Sequence, residues 1–183
     1  MLWLSGAKCF GSACGVVVAI PMTLHRFAIG LVLALSVVSS GAARDAIVGV
    51  ASVIDGDTIE IHGQRIRLFG IDAPESSQLC VRPTGERWRC GQRGSFALSD
   101  WLGRGTVICQ PRDLDRYGRV VAFCFKGDED LSRWMVLNGW AVAFRRYSLN
   151  YVADEDAARQ SRVNIWSGDF DMPWDWRARN HTR

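Results

Sequence analysis

The apolar positions in the first half of the mature-looking chain follow a two-residue period. Residues 47–54 are apolar and β-branched and predict a first strand. Ile59, Ile61, Ile66 and Leu68 then alternate with polar neighbours on either side of His62-Gly63-Gln64, which predicts a hairpin with Gly63 in its turn. The third strand runs on to Ile71 and stops at Asp72-Ala73-Pro74, where Pro74 pushes Ala73 towards an extended shape. Residues 95–102 change period: Phe96, Leu98, Trp101 and Leu102 have helical spacing, and Gly103 and Gly105 end the run. Residues 106–109 and 119–125 predict a fourth and a fifth strand, with a turn at Asp115-Arg116-Tyr117-Gly118 between them. A second helix is expected over 129–138 and a third, polar one over 152–165. The tail from Phe170 to Trp176 carries two tryptophans and is expected to pack back on the domain. Strands first and helices interleaved late predict a β-rich α+β fold, a five-stranded OB-fold barrel with three helices.

The chain has 183 residues, 48% of them hydrophobic and 22% charged, so it can bury one core with segments to spare. The start does not belong to that core. Met22-Thr23-Leu24-His25-Arg26 is followed by an apolar run over 27–38 and by Ser39-Ser40-Gly41-Ala42-Ala43. A basic start, a short apolar middle and small residues predict a signal peptide starting at Met22. The run is shorter than the roughly 20 residues of a spanning helix; if uncleaved, the leader would be a membrane anchor. The expected division is a leader over 1–43, a domain over 44–169 and a Trp-rich tail over 170–183, in a periplasmic or secreted protein. Lys8 and Arg26 are the only charges of the leader, which leaves 20 basic and 19 acidic residues. With that balance, attraction to an anionic partner has to be local.

Cys80, Cys90, Cys109 and Cys124 follow the leader, and an even number in an exported chain predicts disulfides. Four cysteines allow three connectivities, among which sequence does not choose. Cys80–Cys90, closing the loop over 76–92, and Cys109–Cys124, across a hairpin, are the favoured pairs. A zinc site is disfavoured, because there is no Cys-x-x-Cys and almost no histidine.

The chemistry concentrates in Val53-Ile54-Asp55-Gly56-Asp57-Thr58 and in the stretch from Arg67 to Asp72-Ala73-Pro74-Glu75. A hairpin turning at Gly63 returns Asp57 and the end of the third strand to the same end of the sheet. Asp57, Arg67, Asp72 and Glu75 can then face one cavity. Clustered carboxylates repel unless something positive lies between them, and such oxygens suit a hard cation such as Ca²⁺. A guanidinium matches phosphate oxygens, and a further carboxylate can handle a water. Asp115-Arg116-Tyr117-Gly118-Arg119 adds a phosphate clamp and a ring. Taken singly, each of these reads as a turn, a cap or a surface ion pair; jointly they read as a site.

These segments, together with Asn164-Ile165-Trp166-Ser167, resemble the motif series of the staphylococcal nuclease family, in order and in spacing, over about residues 47–168. The resemblance implies an OB-fold and Ca²⁺-dependent cleavage of DNA or RNA leaving 3′-phosphate ends. It implies Asp57 and Asp72 as calcium ligands through side chains and Ala73 through its carbonyl. Glu75 would act on the attacking water. Arg67 and Arg119 would stabilise the transition state from two sides, with Arg116 and Tyr117 binding substrate. The chain departs from the family in Ala73 for threonine, in Arg116 for lysine and in a cysteine-closed loop where the family has a lysine-rich one. Of the tyrosines expected to stack on a base, only Tyr147 is matched, after Arg145 and Arg146.

A histidine-dependent hydrolase is disfavoured, since only His62 and His181 follow the leader. A non-catalytic binding module of the same family is the main alternative; such modules lose the acids and arginines retained here. A structural envelope protein docking through Trp174 and Trp176 is a third. The expected partner is nucleic acid, with no obligate protein partner and a monomeric state.

Overall fold

Residues 45–180 are described in a computed structural model of the chain. The expected leader over 1–43 lies outside them, as does His181. No helix among the described residues is long and apolar enough to cross a membrane.

The expected first strand is interrupted at Ala51 into β1 (Ile47–Val50) and β2 (Ser52–Asp55). The hairpin is β3 (Thr58–Ile61) and β4 (Gln64–Leu68), followed by the short β5 (Ile71–Asp72). Ile59, Ile61, Ile66 and Leu68 are all buried, each contributing about 2 kcal/mol of apolar burial. A slip of one residue would drive Arg65 and Arg67 into the core instead, so the alternation fixes the register. The loop after β5 holds β6 (Cys80–Val81) paired with β7 (Arg87–Trp88). Helix α1 (Cys90–Leu102) follows, then β8 (Thr106–Leu114) and β9 (Val120–Lys126). The chain continues through β10 (Glu129–Asp130), α2 (Leu131–Leu137), β11 (Val142–Ala143) and α3 (Val152–Gln160). A 3-10 turn at Asn164–Ser167 leads to α4 (Pro173–Asn180).

The main sheet runs β1-β8-β9-β4-β3-β2, with β10 on β9, seven strands in all. Its two edges, β1 and β2, are consecutive in the chain, so the sheet curls into a half-barrel around the core. The α+β class is as expected. The strand count exceeds five because the first strand is broken and β10 adds to β9.

The helices differ in extent from their periodicity. α1 starts five residues earlier than expected, at Cys90. Gly91 and Gly94 masked it; Gly91 is required by close packing against the Glu75 carbonyl, whereas a Cβ at Gly94 would make only ordinary contact with Trp140. α2 starts late, because Asp130 caps it, its carboxylate accepting from the amides of Ser132 at 2.8 Å and Arg133 at 3.3 Å. α3 stops at Gln160, short of 165, since Arg162 and Asn164 take positive φ. The tail forms a fourth helix where three were expected, opened by Pro173 at its first position. It covers a second apolar cluster in which Phe170, Met172 and Trp174 pack on Val142, Ile165, Cys80 and Cys90. Both favoured disulfides are present, Cys80–Cys90 and Cys109–Cys124. The second joins directly paired positions of β8 and β9.

Candidate active site

The turn between β2 and β3 sets Asp55 and Asp57 at the open end of the half-barrel. Gly56 is required there, since an added Cβ would stand 2.7 Å from the Cβ of Ala73. Thr58 pairs with Arg67 across β3 and β4, and β4 lies parallel to β9 with Ile66 opposite Val120. That parallel pairing brings Arg119, one residue before Val120, beside the same end. Asp72 is held in β5 by its pairing with Val142 of β11.

The charged groups form a continuous chain. Arg119 donates from Nη1 to the hydroxyl of Thr58 at 3.2 Å, and that hydroxyl donates to Oδ1 of Asp57 at 3.0 Å. Arg67 bridges two acids, with Nη1 to Asp57 Oδ1 at 3.1 Å and Nη2 to Asp72 Oδ1 at 2.9 Å. Arg177 of α4 bridges the next two, with Nη2 to Asp72 Oδ2 at 2.6 Å and Nη1 to Glu75 Oε1 at 3.0 Å. Thus Asp57, Arg67, Asp72, Glu75 and Arg119 are brought together as expected. Asp57 and Asp72 are buried, at 5% and 0% exposure, whereas the Glu75 side chain is 37% exposed. Ala73 is buried beside them, its amide 3.4 Å from Asp57 Oδ2.

Arg116 and Tyr117 sit apart, on the exposed turn before β9. Tyr117 is 69% exposed, with the Arg116 and Arg119 guanidiniums 4.8 Å and 5.6 Å from its ring centre. Asp115 shapes that turn and also bonds Nε of Arg119 at 2.7 Å. Tyr147 is exposed, edge-on to Phe144, while Arg145 is committed to the buried Glu155 at 2.7 Å.

Negative charge is crowded here. Burial, and then the charge of Asp57, push the Asp55 carboxyl up to about 7. Burial also raises Asp72, against the opposing pull of Arg177 and Arg67. Burial works against the Arg177 charge, but hydrogen bonds to Asp72 and Glu75 and their charges hold its pKa above the ordinary value. One residue of the site, Arg177, has no counterpart among the sequence expectations, and one, Thr58, gains a role there that they did not assign. Arg177 lies in a polar tail with no motif around it. Thr58 belongs to the Asp57 motif, but no pattern foretold its link to Arg119. Asp55 stands in the same motif, and an Asp-Gly pair by itself reads as an ordinary turn.

Hard oxygens are the donors a divalent cation of the calcium type takes. Asp57 and Asp72 offer two carboxylates and Ala73 a carbonyl, so the donor chemistry fits. Among the described residues no three acidic, histidine or cysteine side chains already converge as a metal cluster. Guanidiniums carry the countercharge instead.

The structure is a curled α+β sheet that gathers paired arginines and carboxylates into one site. Its lineage is specific: a model of the staphylococcal nuclease homologues matches residues 65–168, and the chain belongs to that family. It is 39% identical over 142 residues to the succinoglycan biosynthesis protein ExoI of Rhizobium meliloti, covering 75% of this chain and 74% of that one. It is 33% identical over 171 residues to Protein ParB of Escherichia coli, covering 82% and 90%. It is 32% identical over 146 residues to a micrococcal nuclease of Shigella flexneri, covering 70% and 78%.

Proposed function

We propose that the protein is a calcium-dependent nuclease that hydrolyses phosphodiester bonds of DNA, RNA or both, leaving 3′-phosphate ends. The observation that carries this reading is the alternating chain from Arg119 through Thr58, Asp57, Arg67, Asp72 and Arg177 to Glu75. Membership of the nuclease family supports it.

Asp57, Asp72 and the Ala73 carbonyl would hold the cation. When bound, it would polarise a phosphate oxygen and offset charge growing in the transition state. Arg67, between the two aspartates, binds the scissile phosphate and is oriented by both. Glu75, the most exposed of the three acids of the chain, orients the attacking water or takes its proton. Water oxygen forms the new bond to phosphorus as the bond to the 5′-oxygen breaks. Arg119 stands on the opposite flank, where it neutralises the departing oxygen. Arg116 and Tyr117, at the exposed turn, contact a neighbouring phosphate and its nucleoside.

The barrel is read as an OB-type fold, with the domain over 44–169 and a tail over 170–183 whose Phe170, Met172 and Trp174 cover it. The segment 1–43 is read as an export leader, consistent with two disulfides.

The test uses the chain without its first 43 residues on single- and double-stranded DNA and RNA, with Ca²⁺ or with chelator, and identifies the end groups. Digestion only with Ca²⁺, lowered by orders of magnitude in Glu75→Gln, is expected. Binding without cleavage would replace the enzyme with a binding module, and full activity in chelator would remove the cation.

A further inference from the structure

Arg177 lies beyond the segment that the family model matches, yet it is the sole group that ties Asp72 to Glu75 among the described residues. Its planar fork takes one oxygen from each acid, Oδ2 of Asp72 and Oε1 of Glu75. Arg67 takes the other oxygen of Asp72. Oε2 of Glu75 accepts no hydrogen bond among the described residues, so one edge of this carboxylate is fixed and the other is not, on a side chain 37% exposed.

A guanidinium in that place could be a removable plug or a permanent fixture. The anchoring of α4 decides for the fixture. The Trp174 ring stacks on Phe144, with centroids 5.4 Å apart, and the Phe144 amide bonds the Gly70 carbonyl two residues before Asp72. Gln78 is fully buried; it donates to the Asp171 carbonyl at 2.7 Å and accepts from the Glu75 amide at 3.4 Å. Met172 and Trp174 belong to the cluster around the Cys80–Cys90 disulfide. An element meant to leave is held by few buried contacts; the stretch 171–174 that leads into this one is pinned beside both of the acids it serves.

We propose that Arg177 is a positioning residue of the hydrolytic reaction, setting the Glu75 carboxylate relative to Asp72. The proposal rests on the nuclease reading above. Its cost is electrostatic: a fixed positive charge on Asp72 opposes a divalent cation at the same acid. Removing the charge should therefore tighten Ca²⁺ binding while slowing turnover, a pairing of signs that a loosened fold does not produce.

The experiment compares the wild-type chain, Arg177→Ala and Arg177→Lys. Ca²⁺ affinity is measured by calorimetry, kcat and KM on DNA, and melting temperature without cation. For Arg177→Ala we expect Ca²⁺ bound about three- to ten-fold more tightly, kcat lower by about 10²-fold, KM little changed, and melting close to wild type. Lysine should restore the cation penalty but only part of kcat, since it lacks the fork. Tighter Ca²⁺ with a higher kcat would mean a plug and overturn the proposal. Unchanged kcat, or loss of both properties with a lower melting temperature, would overturn it too. A wild-type chain that cuts nothing with Ca²⁺ would instead remove the nuclease reading itself.

Discussion

Arg119 donates to the hydroxyl of Thr58, 3.2 Å away across 61 positions of sequence. The same hydroxyl donates to Asp57 at 3.0 Å, so one small side chain links the two flanks of the site. Thr58 is 2% exposed, and no bulk water stands ready to replace it. Thr58→Val keeps the shape and removes the link. It should cost about 1–3 kcal/mol of stability through the groups left unpaired, and roughly tenfold or more in kcat through a misoriented Arg119. Thr58→Ser should keep most of both. Turnover unchanged in the valine variant would show that Arg119 is oriented by Asp115 alone.

Much of this arrangement was legible in the chain. Alternation at Ile59, Ile61, Ile66 and Leu68 sets the hairpin, and the hairpin returns Asp57 and Arg67 to one end whatever the details. Loop closure and a hairpin favoured the two cysteine pairs that form, although the sequence left three connectivities open. Other features had no local signal. Arg177 meets Glu75 across 102 positions, in a polar run that no periodicity marks. The first turn of α1 hid behind Gly91 and Gly94, both poor helix formers, and Gly91 is kept there by its close approach to the Glu75 carbonyl. Arg145 stands beside the expected base-stacking tyrosine, but a buried Glu155 claims it, and no sequence spacing reveals a buried acid.

Gly91 offers a backbone test of the Glu75 position. The second residue of α1 lies against the Glu75 carbonyl so closely that an added Cβ would overlap it. The obstacle is backbone rather than a flexible side-chain end, so relief requires moving Glu75 or the helix. Gly91→Ala would gain helix propensity of about 1 kcal/mol, but overpacking of about 1–3 kcal/mol or more opposes it. A net loss of stability is expected, with kcat falling further than in a control such as Gly85→Ala. Gly85 has no atom within 4 Å of an added Cβ, although its φ of +84° gives alanine some strain. A more stable, fully active Gly91→Ala would contradict the contact.

The two disulfides should separate stability from activity. Cys109–Cys124 spans 15 residues inside the sheet, away from the charged chain. Replacing both cysteines with alanine should cost about 3 kcal/mol and leave kcat intact. Cys80–Cys90 spans 10 residues, and its Cys90 sulfur lies 3.6 Å from the carbonyl of Gln78, whose side chain bonds the Glu75 amide and the Asp171 carbonyl of the tail. Removing it should cost about as much stability and should also lower kcat. Chemical denaturation and steady-state rates on both double variants check this. Equal kcat losses would detach the 76–92 loop from the site.

Acid should unpick the Arg119 turn before it melts the sheet. Burial works against the charge of Asp115, but hydrogen bonds from the Arg119 side chain and from the amides of Arg119 and Tyr117 outweigh it. They hold its pKa below the ordinary carboxylate range. A carboxyl whose pKa is lower folded than unfolded binds fewer protons in the native state. Its stabilisation is therefore complete above the ordinary value of 3.8, and is lost as pH falls through the folded value. Asp115→Asn removes the charge at every pH. The variant should thus be less stable than wild type near neutrality, and the gap should narrow as pH falls from about 5 towards about 2. Urea denaturation midpoints for both proteins across that range measure the gap. A gap that stays constant would mean that Asp115 gains nothing from its partners beyond what an amide gains, and Arg119 would then be held by Thr58 rather than by this ion pair.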